Sequence, residues 1–334
     1  KQIDKYWHVM VYGEFIQEPA VKLCELLSNN TPKSLSSTYL TNSGTEAIEA
    51  AMKLAKRSTG KTKIIAAFNG YHGNTQGSLS IMGYEDRKRA YRPLIPHVEF
   101  INFNDDDDLD KICNNTAGVI LETIQGGAGF ILPKKNYLKK VKERCEKVNA
   151  LLILDEIQPG IGRTGKLFAF EHYTVTPDIL VYGKGLGGGF PIGAMTTDIK
   201  KMHLFKTNPI LGHITTFGGH PVIAAAALAN LKETLSSGIM DKISSKEKLI
   251  RSLLKHKYIQ EIRGKGLMLA LILVDAAVAK KLISNAFKNR LILFGLLFEP
   301  KAVRITPPLT ISKKEIRLGC KTIINVLDTI QHVD

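Results

Sequence analysis

Two ionisable side chains stand at the ends of apolar, strand-like runs. Asp155 ends the run at residues 151–154, and Lys184 follows the run at residues 178–182 within a glycine-rich segment. The carboxyl ends of parallel strands are where open α/β sheets bind ligands. A glycine-flanked amine can form a Schiff base with a planar cofactor, and a carboxylate can keep a pyridine nitrogen protonated. Together the two residues suggest pyridoxal phosphate, whereas either residue alone is more often an N-cap aspartate or a solvated lysine.

Two further segments could bind such a cofactor. Ser43 and Glu46 have the spacing of a capping box, which would place the backbone amides of Gly44 and Thr45 at a helix N-terminus. Such an end binds phosphate dianions, although an ordinary helix start has the same pattern. Tyr71 lies in a glycine-rich turn after a strand-like run, where its ring could stack on a flat cofactor or simply join the core or the surface.

The elements that must position these residues alternate between strand-like and helix-like segments over residues 19–240. This pattern predicts an α/β fold with a large domain built on a mostly parallel sheet. Residues 241–334 are expected to form a smaller α+β domain, and residues 1–18 a helix-like segment of a longer chain. The predicted strands are 63–68, 98–103, 118–122, 151–155, 178–182, 265–274, 291–298 and 302–306. The predicted helices include 137–147, 276–289 and one opened by a capping box at Ser312 and Glu315.

Composition limits the classes of partner. The chain has 46 Lys+Arg against 31 Asp+Glu, a net charge of +15, but the excess is scattered rather than gathered in a stripe. We therefore predict no nucleic-acid partner, and the lack of a long apolar run predicts no membrane span. Four widely spaced cysteines and nine histidines show no metal-ligand spacing, so a reducing cytoplasm and no metal site are expected.

Seven short motifs occur together in one order. They are residues 42–47 (NSGTEA), 71–73 (YHG), 122–126 (ETIQG), 155–158 (DEIQ), 162–165 (GRTG), 183–185 (GKG) and 216–219 (TFGG). In this order and spacing the chain resembles the acetylornithine/ornithine branch of the class III aminotransferases, from about residue 6 to about residue 330. The resemblance implies a fold-type-I enzyme that depends on pyridoxal phosphate.

The resemblance also implies roles for individual residues. Lys184 would carry the Schiff base, Asp155 would pair with the pyridine nitrogen, and Gln158 would bond the ring hydroxyl. Tyr71 and Ile157 would lie on the two faces of the ring. The remaining implied cofactor contacts within the chain are Ser43, Gly44, Thr45, His72 and Glu122. The resemblance also implies a homodimer with shared active sites, in which Thr216 contacts the cofactor of the neighbouring subunit.

At the substrate end, the resemblance implies contacts from Arg304, Asn74 and Tyr12. Two positions depart from the ornithine-type pattern: Asn74 stands where those enzymes have a carboxylate-binding arginine, and Gly127 stands where they have a glutamate that masks the arginine matching Arg304. Arg304 would therefore be free to bind an α-carboxylate directly.

The expected activity is transfer of an amino group from an amine or amino-acid donor, acetylornithine- or ornithine-like, to a 2-oxo acid such as 2-oxoglutarate. An aminomutase of the same fold and an omega-amine transaminase with another donor remain open. A basic nucleic-acid-binding protein, and an inert relative that binds the cofactor without turnover, also remain open.

Overall fold

The computed structural model describes residues 1–9 and 15–330 of the chain. Its first sheet orders seven strands as β1-β7-β6-β5-β4-β2-β3, and β7 runs antiparallel to both of its neighbours. The other four neighbouring pairs are parallel, as the sequence predicted for most of the sheet. In chain order the strands are β1 Ser37–Thr41, β2 Lys63–Ala67, β3 Val98–Ile101, β4 Thr116–Glu122, β5 Leu151–Asp155, β6 Ile179–Gly183 and β7 Gly193–Thr197.

Helices cover both faces of this sheet. Successive residues of a strand point to opposite faces. Leu152 and Leu154 of β5 therefore join a core with one set of helices, while Ile153 joins a second core with α3. The near-continuous apolar strands are typical of parallel sheets buried on both faces. The helices of this part are α1 Gln2–Tyr6, α2 Glu18–Asn29, α3 Gly44–Thr59, α4 Gln76–Ser80, α5 Tyr137–Lys147, α6 Ile199–His203 and α7 Pro221–Ser236.

A second, antiparallel sheet orders four strands as β10-β11-β9-β8. One face packs against three helices in a separate apolar core that begins at Ile243. The boundary at residue 240 that the sequence suggested stays a prediction. The strands are β8 Ile259–Lys265, β9 Met268–Leu273, β10 Phe294–Gly295 and β11 Ala302–Ile305, and the helices are α8 Ile243–Leu253, α9 Ala276–Lys288 and α10 Lys313–Asp328.

One predicted strand is wrong for most of its length. Of residues 291–298, only Phe294 and Gly295 pair with β11. The chain then leaves the sheet, because the backbone N–H of Phe298 donates to the carbonyl of Gly127 at 2.9 Å rather than to β11. Strands β1, β7 and β8 were not among the predicted strands.

The second sheet packs against loops that follow the strands of the first sheet. Ala270 and Ala302 pack with Phe130 and other apolar residues of the larger unit. Nη1 of Arg163 donates to the carbonyl oxygens of Pro307 at 2.6 Å and Leu267 at 3.3 Å. This contact ties the smaller sheet to the loop after β5. Within the described part of the chain, every helix is too short or too polar to span a lipid bilayer.

Candidate active site

The carboxyl ends of three neighbouring parallel strands bring together a lysine and two carboxylates. Glu122, the last residue of β4, is in direct register with Asp155, the last residue of β5. Lys184 directly follows β6 and has a left-handed backbone with φ of 41°. A non-glycine residue held there stores strain of about 1–3 kcal/mol, which is a feature found often at functional sites.

A cleft of about 330 Å³ opens at these strand ends. It brings together ten of the site residues that the sequence predicted, from segments spread over 140 residues of chain. Its lining consists of Gly44, Thr45, Tyr71, His72, Gly73, Asn74, Glu122, Asp155, Ile157, Gln158 and Lys184.

Two glycines allow the walls of the cleft to approach each other closely. A Cβ atom on Gly73, whose φ is 130°, would lie 2.2 Å from Oγ1 of Thr45. A Cβ atom on Gly44 would lie 2.6 Å from Cδ1 of Ile157. Because contacts this short do not occur between real atoms, a side chain at Gly73 would displace Thr45, and a side chain at Gly44 would displace Ile157.

Asp155 is buried and has a defined partner on each carboxylate oxygen. Oδ1 accepts from the backbone N–H of Ile157 at 2.9 Å, and Oδ2 accepts from Nδ1 of His72 at 2.8 Å. Burial lowers the pKa of His72, but the hydrogen bond and charge of Asp155, together with the charge of Glu122, outweigh it and raise this pKa above its usual value. Nε2 of His72 is buried without a partner among the described residues.

Glu122 links two loops around the cleft. Its Oε1 accepts from the N–H of Tyr71 at 3.0 Å and its Oε2 from the N–H of Gly126 at 2.8 Å. Burial raises the pKa of Glu122 to about 7; the nearby charge of His72 lowers it, and that of Asp155 raises it. Glu122 therefore holds the backbone of Tyr71 in place.

The start of α3 lies at the other end of the cleft. Oγ of Ser43 accepts from the N–H of Glu46 at 3.3 Å, so Ser43 is the N-cap and is not part of the cleft lining. The second half of the predicted capping box is wrong: the Glu46 carboxylate accepts from the N–H of Asn42 at 2.7 Å instead of from Ser43. The helix start still directs its positive end toward the cleft, as phosphate binding requires.

Sequence reasoning missed three polar residues around this site. Thr75 and Ser78 meet the hydroxyl of Thr45 at 2.8 and 2.6 Å. Glu156 is fully buried, and burial raises its pKa to about 7. Its carboxylate accepts from Thr123 and from the backbone N–H groups of Ala169 and Phe170. A glutamate directly after the buried strand that ends at Asp155 was the available signal, because a buried carboxylate needs hydrogen-bond partners.

The predicted substrate residues are less closely gathered. Nδ2 of Asn74 donates to the hydroxyl of Tyr71 at 3.3 Å in the cleft. Arg304 lies on β11, opposite Ala270, and its guanidinium carbon is 5.4 Å from the centre of the Phe294 ring. It forms no ion pair with any carboxylate in residues 1–9 or 15–330, and it does not line this cleft. Tyr12 lies outside the described residues.

The side chain of Phe298 occupies the space next to Gly127. A Cβ atom on Gly127 would lie 2.7 Å from the Phe298 ring, which stacks on Tyr84 with 4.8 Å between ring centres. A side chain at position 127 would therefore require Phe298 to move.

Thr216 is exposed and does not line the cleft of its own chain. Exposed large apolar side chains lie near it in the chain, namely Ile210, Leu211, Ile214 and Phe217. These residues precede α7.

Comparison with known proteins places this chain in one family. Residues 1–327 match the family model described as aminotransferase class-III, so the chain belongs to that family. It is a pyridoxal-phosphate-dependent aminotransferase, and it is similar to acetylornithine and ornithine aminotransferases.

The similarity extends over nearly the whole chain. An acetylornithine aminotransferase of Clostridium acetobutylicum is 39% identical over 329 residues, which cover 95% of this chain and 82% of that protein. The crystal structure of the ornithine aminotransferase from Toxoplasma gondii ME49 superimposes with a TM-score of 0.90 at 29% identity, covering 98% of this chain and 80% of that one. A second structure of the T. gondii enzyme, with partial occupancy of PLP at its active site, has a TM-score of 0.85 at 30% identity and covers 95% of this chain and 77% of that one.

The cleft fits pyridoxal phosphate. It offers an amine for the aldehyde, a buried carboxylate for the ring nitrogen, an aromatic and an aliphatic wall for the ring, and a helix N-terminus for the phosphate. No group of three or more metal-ligating side chains occurs in the described part of the chain.

Proposed function

We propose that this enzyme transfers an amino group from an acetylornithine- or ornithine-like donor to a 2-oxo acid such as 2-oxoglutarate. The observation that carries the proposal is the placement of Lys184 and the His72-paired Asp155 in one cleft. The acetylornithine aminotransferase at 39% identity supports this donor class.

In this proposal each residue of the cleft has a separate role in binding the cofactor or transferring a proton. Pyridoxal phosphate, when bound, supplies an electron sink and carries the amino group from donor to acceptor. Lys184 holds the cofactor and then moves the proton at the donor's amino-bearing carbon, a role worth roughly 10² to 10⁴ in rate. Asp155, held by His72 and the N–H of Ile157, keeps the ring nitrogen protonated. Tyr71 and Ile157 hold the ring from its two faces.

Other residues hold the ends of the two ligands. Gly44 and Thr45, with Ser43 as N-cap, bind the phosphate, and Gln158 bonds the ring hydroxyl. Arg304 binds the α-carboxylate of the substrate. This role is supported by its lack of an ion pair among the described residues and by its place on β11 opposite Ala270, whose side chain faces the larger unit.

A second donor class has its own support. Asn74 provides no charge for a distal carboxylate, and Phe298 occupies the space beside Gly127 where the ornithine-type enzymes would have a masking glutamate. These two departures favour an omega-amine donor that is not ornithine-like. An aminomutase has no such feature in its favour.

The decisive experiment mixes the holoenzyme with a panel of amines in the absence of acceptor. We expect acetylornithine or ornithine to discharge the lysine-bound cofactor, seen as loss of its visible absorption, and 2-oxoglutarate to restore it. Discharge only by simple ω-amines would replace the donor assignment with the second class. Return of the amine to its own carbon skeleton, without net transfer to 2-oxoglutarate, would contradict amino transfer altogether.

The proposal includes a homodimer in which Thr216 reaches the cofactor phosphate of the neighbouring subunit. The exposed Ile210 and Phe217 on either side of Thr216 support a covering copy, since exposed apolar clusters mark interaction sites. Sedimentation equilibrium of the holoenzyme should give the mass of two chains, and a monomer with full activity would contradict shared sites. Four free cysteines are consistent with the cytoplasm, which stays a prediction.

A further inference from the structure

A groove between the two structural units is lined by three lysines. It has a volume of about 550 Å³ and lies where the end of α7 meets the starts of α8 and α10. The charged residues in its lining are Lys242, Lys246, Lys313 and Glu233. The groove is therefore a concave, net positive surface remote in sequence from every cofactor residue assigned above.

Lys246 is the unusual member of this set. It is only 7% exposed, and its ammonium donates to the carbonyl of Leu309 at 2.5 Å. An ammonium carries three N–H donors, and no carboxylate in the described part of the chain forms an ion pair with it. Buried charges in proteins are normally paired, because an unpaired one costs several kcal/mol.

Two charged neighbours act on Lys246, and only one of them, Lys242, adds to the positive potential there. Burial and the charge of Lys242 both lower the pKa of Lys246, while the charge of Glu315 raises it. Glu315 is occupied as the capping residue of α10, where its carboxylate accepts from the N–H of Ser312 at 2.7 Å. Helices α8 and α10 also direct their positive ends toward the groove, since both begin at its lining residues.

Hydroxyl groups can supply further donors to an oxyanion, and those of Ser237, Thr310 and Ser312 line the groove. The hydroxyl of Ser245 also lines it but already donates to the carbonyl of Lys242 at 2.9 Å. The groove shares Glu233, Ser237, Ile239 and Thr310 with a larger cavity whose lining includes Lys184.

We infer that this groove binds a small multivalent oxyanion, either phosphate or a polycarboxylate, with Lys246 as its buried anchor and Lys242 and Lys313 as its outer contacts. The ligand bridges α7 to α8 and α10 and so holds the two units together. The groove shares no lining residue with the 330 Å³ cleft, although it adjoins the larger cavity that Lys184 also lines. The inference does not depend on the donor or acceptor of the reaction.

The test uses the holoenzyme, in which the cofactor already fills its own phosphate site. Phosphate and, separately, citrate are titrated at constant ionic strength, and the thermal midpoint is measured together with the visible absorption of the bound cofactor. We expect a saturable rise in Tm with one of the two anions and no loss of cofactor absorption. The anion that saturates at the lower concentration identifies the source, and a rise with neither overturns the inference.

Matched variants locate the site. Lys313→Gln and Lys321→Gln change the same residue type on α10, but only Lys313 lines the groove. Loss of one charged contact should raise the apparent Kd about tenfold or more for Lys313→Gln, with no change for Lys321→Gln. Lys246→Gln should abolish the rise in Tm. If Lys246→Gln does not fold, Lys242→Gln joins Lys313→Gln in the test, and equal Kd values in these variants and in Lys321→Gln would place the anion elsewhere.

Discussion

The proposed cofactor end and the proposed substrate end of this site are built differently. At the cofactor end, Asp155, His72 and Glu122 are buried and each has partners at hydrogen-bond distance. At the substrate end, Asn74 is exposed with one long hydrogen bond, and Arg304 contacts an aromatic ring but no described carboxylate.

This difference separates the chemistry from the choice of substrate. A buried group with several partners cannot change without leaving other groups unsatisfied, which typically costs about 1–3 kcal/mol for each. An exposed or unpaired group can be replaced without such a cost. We therefore expect changes at the cofactor end to remove the reaction, and changes at the substrate end to alter which molecules react.

The largest expected effect is at Lys184. Lys184→Ala should abolish covalent attachment of the cofactor and nearly all amino transfer, because Lys184 is the amine at the strand ends that lines the cleft. The check is the visible absorption and borohydride reduction of the purified, dialysed variant. Lys288→Ala, at an exposed helix end, is the control and should behave as wild type. A reducible bond to the cofactor and normal turnover in Lys184→Ala would disprove the assignment.

Asp155→Asn is expected to have the next largest effect. The nearly isosteric side chain should fold, but the ring nitrogen and His72 would both lose a charged partner. Truncating one member of a buried charge pair costs about 2–5 kcal/mol, so turnover should fall on the order of 10²-fold or more. Single-turnover kinetics with donor would measure it, with exposed Asp110→Asn as the control. An unchanged spectrum and near-normal rate would eliminate the proposed role of Asp155.

Elements set by local sequence were predictable. The strand Leu151–Asp155 and the helix Tyr137–Lys147 have the predicted bounds, because an unbroken apolar run and a clear apolar face define them without help from other segments. The capping box at Ser312 has both of its hydrogen bonds. Parallel strands then bring Glu122, Asp155 and Lys184 to one edge, which follows from strand direction alone.

Contacts between distant segments were not predictable in the same way. The hydrogen bond between His72 and Asp155 joins residues 83 positions apart, and nothing in the local pattern of either indicates it. Phe298 was expected to continue a strand, but its backbone bonds to Gly127 and its ring fills the space there. Glu46 accepts from the N–H of Asn42, the residue directly after β1, rather than from that of Ser43.

At the substrate end, Arg304→Lys is expected to have a smaller and more selective effect. A bidentate grip on a carboxylate cannot be reproduced by lysine. We expect the reaction with 2-oxoglutarate to weaken by about 1.5–3 kcal/mol, the usual worth of a hydrogen bond to a charged group, with cofactor binding intact. The measurement mixes 2-oxoglutarate rapidly with enzyme whose cofactor already carries the amino group (the pyridoxamine form). It gives the second-order rate constant for amino transfer to 2-oxoglutarate. Arg290→Lys, at an exposed turn, is the control, and an equal constant in both variants would mean that another residue holds the carboxylate.

The smallest effect is expected at Asn74. Its amide donates to the hydroxyl of Tyr71 at 3.3 Å from an exposed position, and a neutral hydrogen bond contributes only about 0.5–1.5 kcal/mol. Asn74→Ala should therefore slow the donor half-reaction by no more than about tenfold and leave the reaction with 2-oxoglutarate unchanged. Asn289→Ala serves as the control for loss of an exposed amide. A loss of rate well beyond tenfold, confined to donors with a second carboxylate, would show that Asn74 binds that carboxylate despite its lack of charge. The substrate end would then contain two carboxylate-binding residues, Asn74 and Arg304.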